Sequence, residues 1–174
     1  MKNSMQIKEA LRNQFNEGTS KMAKRICYGY TQDENGNLII DKEKAEIIKM
    51  VFESYLSGSS LGQISDELYQ LNIKSPIGKD RWNREAIDKI LSNEKYIGVV
   101  ILQKTVSGCG TQYVNAGFED KYLTINSHPA IISLETFKNV QEEKLRRTRK
   151  TKHEYNLIND ILSDISLICS NGNN

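Results

Sequence analysis

Residues 58–92 read GSSLGQISDELYQLNIKSPIGKDRWNREAIDKILS, and the reading of this stretch decides the fold. Ser60 precedes an apolar run and Gln63 follows three residues later, the spacing at which the two side chains reciprocally satisfy orphan helix N–H groups. A helix therefore starts at Ser60. Leu61, Ile64, Leu68 and Leu71 recur at intervals of three, four and three, which predicts one buried stripe with Ser65, Asp66 and Gln70 turned outward. A polar connection of about ten residues with Pro76 and Gly78 follows, and Asn83 is suited to cap a second helix by accepting from an N–H two or three residues on. The inward face of that helix is Ala86, Ile87, Ile90 and Leu91; its outward face is Arg84, Glu85, Asp88, Lys89 and Ser92. Two short capped helices with a polar link have the pattern of a helix-turn-helix DNA reader, although the link is longer than the usual three or four residues. A piece of core with a solvated outer face has the same pattern, so spacing alone leaves both uses open.

Working outward, Asp41 caps a strongly periodic helix (Ala45, Ile48, Val51, Phe52, Tyr55, Leu56) that Gly58 ends. Before it, residues 26–30 (ICYGY) and 38–40 (LII) flank Asn35-Gly36, a dipeptide that tolerates positive φ and so predicts a hairpin. Residues 2–17 have helical spacing with a thin apolar face. Downstream, residues 96–106 are rich in β-branched and aromatic side chains and predict a strand. The glycine-rich 107–120 segment predicts a mobile loop or hairpin tip, and 122–126 a returning strand. Helices are expected over 133–150, with Ser133 as N-cap and Phe137 and Val140 behind it, and over 155–168. The fold class is α+β: a helical bundle with a helix-turn-helix-like pair, plus a small antiparallel β-sheet or hairpins.

The 174 residues are 38% hydrophobic and 26% charged, the balance of a soluble globular chain, and no apolar run approaches the roughly 18 residues of a membrane span. With a polar N-terminal segment lacking a signal-peptide core, the expected location is cytoplasmic. Cys27, Cys109 and Cys169 are odd in number and form no C-x-x-C pair, and the two histidines are more than twenty residues apart. No disulfide framework, metal site or cofactor is therefore expected. The net charge of +2 conceals segregation: basic and acidic residues number three and eight over 31–73, seven and four over 74–104, and seven and two over 138–152. That distribution gives the chain one face for a polyanion.

The succession YGY at 28–30, DKEKAEIIKMVFESYLSGSSLGQISDELYQLNI at 41–73, RWNREAIDKILSNEKYIGVV at 81–100 and HPAIISLETFKNVQ at 128–141 resembles the recombinase domain of large serine recombinases. The resemblance runs from about residue 15 to 150 and is most specific in the W-N-x-x-x-I-x-x-I-L-x-N-x-x-Y-x-G run ending at Gly98. It implies three segments: 1–20 as the end of an inter-domain linker helix, 21–150 as the DNA-binding recombinase domain, and 151–174 as a helix running toward a zinc ribbon. Cys169 would be that ribbon's first ligand, but Gly172 stands where the next cysteine is expected, so no structural zinc is predicted. The resemblance further implies double-stranded DNA as partner, at an attachment-site half of a phage or mobile element. The serine nucleophile is expected on a separate domain absent from this chain, so the chain itself is not expected to be an enzyme. A monomeric fragment and a parent that is a dimer or tetramer on DNA complete the expectation.

With the charge map, the resemblance nominates Arg84 for bidentate contact to guanine, Lys79 and Arg81 for phosphate or minor-groove contact, and Lys89 for the backbone one turn on. Lys104 is a further DNA-binding candidate. Asn83 has two readings, helix cap or base contact. Arg146, Arg147, Arg149 and Lys150 either track the phosphate backbone or form a solvated helix end. Trp82 is read as a core anchor rather than a stacking platform, and His128 as structural rather than catalytic. Two other function classes fit the same residues: a protein-interaction module with a basic face, and a stand-alone helix-turn-helix regulator.

Overall fold

The computed structural model describes residues 9–10, 12–14, 20, 23–108, 111–115 and 120–147. The helices expected over 2–17 and 155–168, and the Cys169 reading, lie outside the described residues in whole or in large part. The fold is α+β. A first hairpin pairs β1 (Tyr30–Gln32) with β2 (Leu38–Ile40), Tyr30 opposite Ile40 and Gln32 opposite Leu38. Its loop is organised by Asp33, whose Oδ1 accepts from the backbone N–H of Asn35 at 2.9 Å and of Asn37 at 2.7 Å. The first strand is displaced from the 26–30 run that predicted it and shares only Tyr30 with it. Tyr28 and Gly29 form a turn, Gly29 at φ 96° with Ile131 Cδ1 2.9 Å from where a Cβ would stand, so the chain extends only from Tyr30, which is buried in the core.

Helix α1 (Lys42–Leu56) starts at Asp41, whose side chain accepts from the Lys44 N–H, and buries Ala45, Ile48, Val51, Phe52 and Tyr55. It packs against three others: α2 (Leu61–Gln70), α3 (Arg84–Leu91) and α4 (Leu134–Arg147). One core cluster takes the buried stripes of all four helices together with Tyr30, Trp82 and Tyr96. The capping box at Ser60 and Gln63 is formed in both directions. Two of the residues assigned to α2's faces change places. Ser65 is buried, whereas Leu71 is 55% exposed, because the helix stops at Leu71 and the chain reverses through Asn72 at φ 55°. Ile73 then supplies the contact with the core, its N–H donating to Leu68 O at 2.9 Å and that of Asn72 to Tyr69 O at 3.0 Å, a Schellman closure with asparagine at the left-handed position.

After α3 a 3-10 turn (Glu94–Ile97) replaces the start of the predicted 96–106 strand. Asn93 caps it and Gly98 at φ 75° ends it, and Tyr96 is buried between Tyr30 and Phe52. Local β-propensity yields here to the need to bury that ring. The remaining stretch splits in two. β3 (Val100–Leu102) pairs antiparallel with β6 (Tyr122–Thr124), and β4 (Thr105–Gly108) with β5 (Thr111–Val114). Gln103 at φ 60° makes the break, and the buried Asn115 closes the base of the second ribbon by donating from Nδ2 to Gln103 O at 2.9 Å. Of the two forms expected, one small antiparallel sheet or hairpins, the described residues take the second, as three separate two-stranded antiparallel pairs.

Candidate nucleic-acid interface

The α2–α3 pair is held as a unit by polar contacts beneath its surface. Ser65 Oγ, on α2, donates to Trp82 O at 2.6 Å, and the Trp82 indole N–H donates to Ile73 O at 3.0 Å. Trp82 is 2% exposed and meets the edge of Tyr28 at a centroid distance of 5.2 Å. It is a core anchor, since its one polar atom is satisfied and no face is open to a base. Asn83 Oδ1 accepts from the Ala86 N–H at 2.7 Å, so the asparagine caps α3. Ile87, Ile90 and Leu91 bury one side of α3, leaving Arg84, Glu85 and Lys89 exposed on the other.

The basic candidates divide by what already neutralises them. Arg81 pairs with Asp66, and Lys74 lies 3.9 Å from Asp80. Lys104 Nζ is 2.5 Å from the buried Glu94 carboxylate. Arg146 and Arg147 both hold Glu143, at 2.6 and 2.5 Å, and Arg146 first and then Arg147 depress that carboxyl to about 2. Arg147 is spent further inside. It donates to Tyr55 O at 2.8 Å and Ser59 O at 2.6 Å and stacks its guanidinium over the Tyr55 ring, so it caps the end of α1 from α4. Lys144 pairs with Asp88 at 2.7 Å and also donates to Ser92 Oγ. By contrast Lys79, Arg84 and Lys89 make no ion pair with any described residue, and all three are exposed. Arg149 and Lys150 lie outside the described residues.

Arg84 is held without being neutralised. Its guanidinium lies over the first turn of α2, where a Cβ on Gly62 would stand 3.2 Å from Nη2. That end of α2 carries the positive pole of the helix, so it offers the cation no charge partner. Gly62 is a residue that pattern reading passed over; its signal was a glycine in the first turn of an otherwise well-formed helix. Pattern reading places Glu85 on the outward face but does not nominate it as a contact; it is acidic, exposed and without an ion pair among the described residues, in the first turn of a helix flanked by cations. Of the nominated cations, those without an ion pair lie on the loop and α3, while Arg146 and Arg147 of α4, with Lys144 beside them, are paired; Arg25 and Lys42, away from this surface in sequence, are also exposed and make no ion pair with a described residue.

His128 is a structural side chain. It is 8% exposed, its Nε2 lies 2.7 Å from Lys95 O, and its ring meets Tyr30 edge-on at 4.9 Å. The carbonyl can only accept, so Nε2 carries the proton, and Nδ1 is buried with no hydrogen-bond partner. Burial lowers the imidazole pKa, with the Lys95 carbonyl opposing that shift.

The Recombinase family model matches residues 42–147, more than half of the chain, which spans all four helices and the elements between them. The chain belongs to the Recombinase family. Among solved structures it is similar to one described as the crystal structure of an LSR–DNA complex, with 21% identity and a TM-score of 0.48 over 72% of this chain and 34% of that one. It is also similar to one described by the sequence requirements of the Listeria innocua prophage attP site, with 22% identity and a TM-score of 0.48 over 68% of this chain and 42% of the other. This chain spans less than half the length of either.

Proposed function

We propose that this chain reads one half of a DNA attachment site for a site-specific serine recombinase, with α3 in the major groove. The observation that carries the reading is the set of uncompensated cations, Arg84 and Lys89 on the exposed side of a helix whose other side is locked into the core and Lys79 in the loop that leads into it. A cation already paired must surrender its partner before meeting a phosphate, whereas a free one releases counterions from the DNA at no such cost. Arg84 is the base-reading candidate, by bidentate contact to guanine O6 and N7. Lys79 and Lys89 are phosphate contacts. Glu85 is a second base reader: among phosphates a carboxylate is repelled unless it meets a donor, and the exocyclic amino group of cytosine is one the major groove offers. Arg81 and Lys104 contribute after their ion pairs open, Asn83 by positioning α3 through its cap, and Arg146, Arg149 and Lys150 by tracking the backbone.

In this reading the phosphodiester chemistry, attack by a serine followed by strand exchange, belongs to a separate domain of the parent recombinase. That parent assembles as a dimer or tetramer on its sites.

The test is selection from a random duplex pool at two salt concentrations, with the bound fraction sequenced. Enrichment of a motif of half-site length that persists at the higher salt is the expected result. Binding that disappears with salt and enriches nothing would leave only a basic surface and end the proposal.

A further inference from the structure

The connection between α2 and α3 is longer than a helix-turn-helix requires, and its extra residues build a rigid finger. Residues 75–79 close a tight turn in which the Gly78 N–H donates to Ser75 O at 2.8 Å, the Ser75 N–H to Lys79 O at 2.8 Å and the Lys79 N–H to Ser75 Oγ at 3.0 Å. Pro76 restricts φ on one side of the tip, and Gly78 at φ 79° supplies the left-handed step on the other. The base is pinned as firmly. Trp82 in the outgoing arm donates to Ile73 O in the incoming arm, and Trp82 O accepts from Ser65 of α2.

At the apex stands Ile77, 76% exposed, the most exposed large apolar side chain among the described residues. A single exposed isoleucine is unremarkable on a soft loop. Here it is carried on a stiff support whose ordering cost is met in the free protein, which favours use as a contact. Residues 74–81 hold three basic residues, Lys74, Lys79 and Arg81, against one acidic residue, Asp80. Arg81 and Lys74 face Asp66 and Asp80, which leaves Lys79 as the uncompensated cation beside the tip. An apolar tip next to a free cation fits a polyanion with an apolar interior, and the minor groove of duplex DNA is such a surface.

We infer that this finger is a second DNA-binding element, pressing Pro76 and Ile77 onto a base step in the minor groove beside the segment of major groove taken by α3. The inference rests on the DNA-reading proposal above and names a different contact. Ile77 is six residues from Asn83, so the tip lies within about 20 Å of the start of α3. That reach spans one sugar–phosphate strand and a minor groove about 6 Å wide. Lys79 then meets the phosphates that the finger crosses. Flexible pyrimidine–purine steps are the favoured targets, because an apolar side chain unstacks them at least cost.

The experiment uses the full chain and its selected duplex, with inosine replacing guanine at positions flanking the α3 motif. This swap removes the minor-groove amino group and leaves the major-groove edge of the base unchanged. Affinity is measured for the wild type and for Ile77→Ser, whose side chain is exposed, so its unfolding midpoint should match that of the wild type. The expected result is an inosine-dependent change of several-fold in the wild type that disappears in I77S, together with an affinity about tenfold weaker. Equal inosine responses in the two proteins, whatever the affinity of I77S, overturn the finger while leaving α3 as a reader. Failure of the wild type to select any motif overturns both.

Discussion

In the proposed reading single side chains carry two separable roles, and charge alone does not tell them apart. Arg84→Ala should lose discrimination at one or two base positions, by about 1–3 kcal/mol each, in a selection compared with the wild type. Lys79→Ala should weaken all duplexes alike and lower the log–log salt slope by about one. Equal behaviour of the two variants would remove the assignment of base reader and phosphate contact. His128 makes a different prediction. Its pKa is lowered in the folded state, so the unfolded chain binds the extra proton first as pH falls. The stability it contributes is complete above its ordinary value of 6.5 and is lost as pH drops from there toward the folded value. Melting from pH 7.5 to 5 should therefore show a fall in the wild type that His128→Gln, which has no titrating group, partly flattens.

Backbone conformation decides where this chain reverses, and the glycines at two such reversals, the end of the 3-10 turn and the tip of the α2–α3 connection, differ in what surrounds them. Gly98 closes the 3-10 turn at φ 75°, and a Cβ there would stand 2.7 Å from the carbonyl oxygen of His128. Gly78 has a similar φ of 79° with nothing within 4 Å. Gly78→Ala should cost only the left-handed penalty, about 1 kcal/mol, whereas Gly98→Ala should cost on the order of 3 kcal/mol because backbone must also move. Denaturant titration of the pair checks this, and similar losses would mean the packing at Gly98 is easily relaxed. The helix starts at Asp41, Ser60 and Asn83 were legible because caps are local chemistry. The 96–106 strand forms only from Val100 on: its β-branched and aromatic composition is that of a strand throughout, while the turn that takes Tyr96 depends on burying its ring against Tyr30 and Phe52.

At the scale of the molecule, α4 locks the bundle by bonding to the ends of other helices. Gln141 Nε2 donates to Leu91 O at 2.7 Å at the end of α3, and Arg147 donates to Tyr55 O and Ser59 O at the end of α1. Arg147→Ala should leave those carbonyls and Glu143 short of a partner and destabilise the fold by about 2 kcal/mol in denaturant titration. Its salt slope for DNA should match the wild type's. A reduced slope with unchanged stability would make Arg147 a phosphate contact after all.

Short-range signals in the sequence by themselves determined the helix starts, the stripes of α1 and α3, the α+β class and the succession of motifs that marks the family, because caps and periodicity act within a few residues of the chain. Only the tertiary structure decided which cations are free. Arg81, Lys104 and Arg147 find their partners at Asp66, Glu94 and the end of α1, and Arg84 rests on Gly62. Those neighbours lie ten or more residues away in sequence, and no periodicity encodes them. The same holds for the finger: Pro76 and Gly78 announced a turn, but its stiffness comes from Trp82 bridging back to Ile73 and down to Ser65, a closure that exists only once the core has formed.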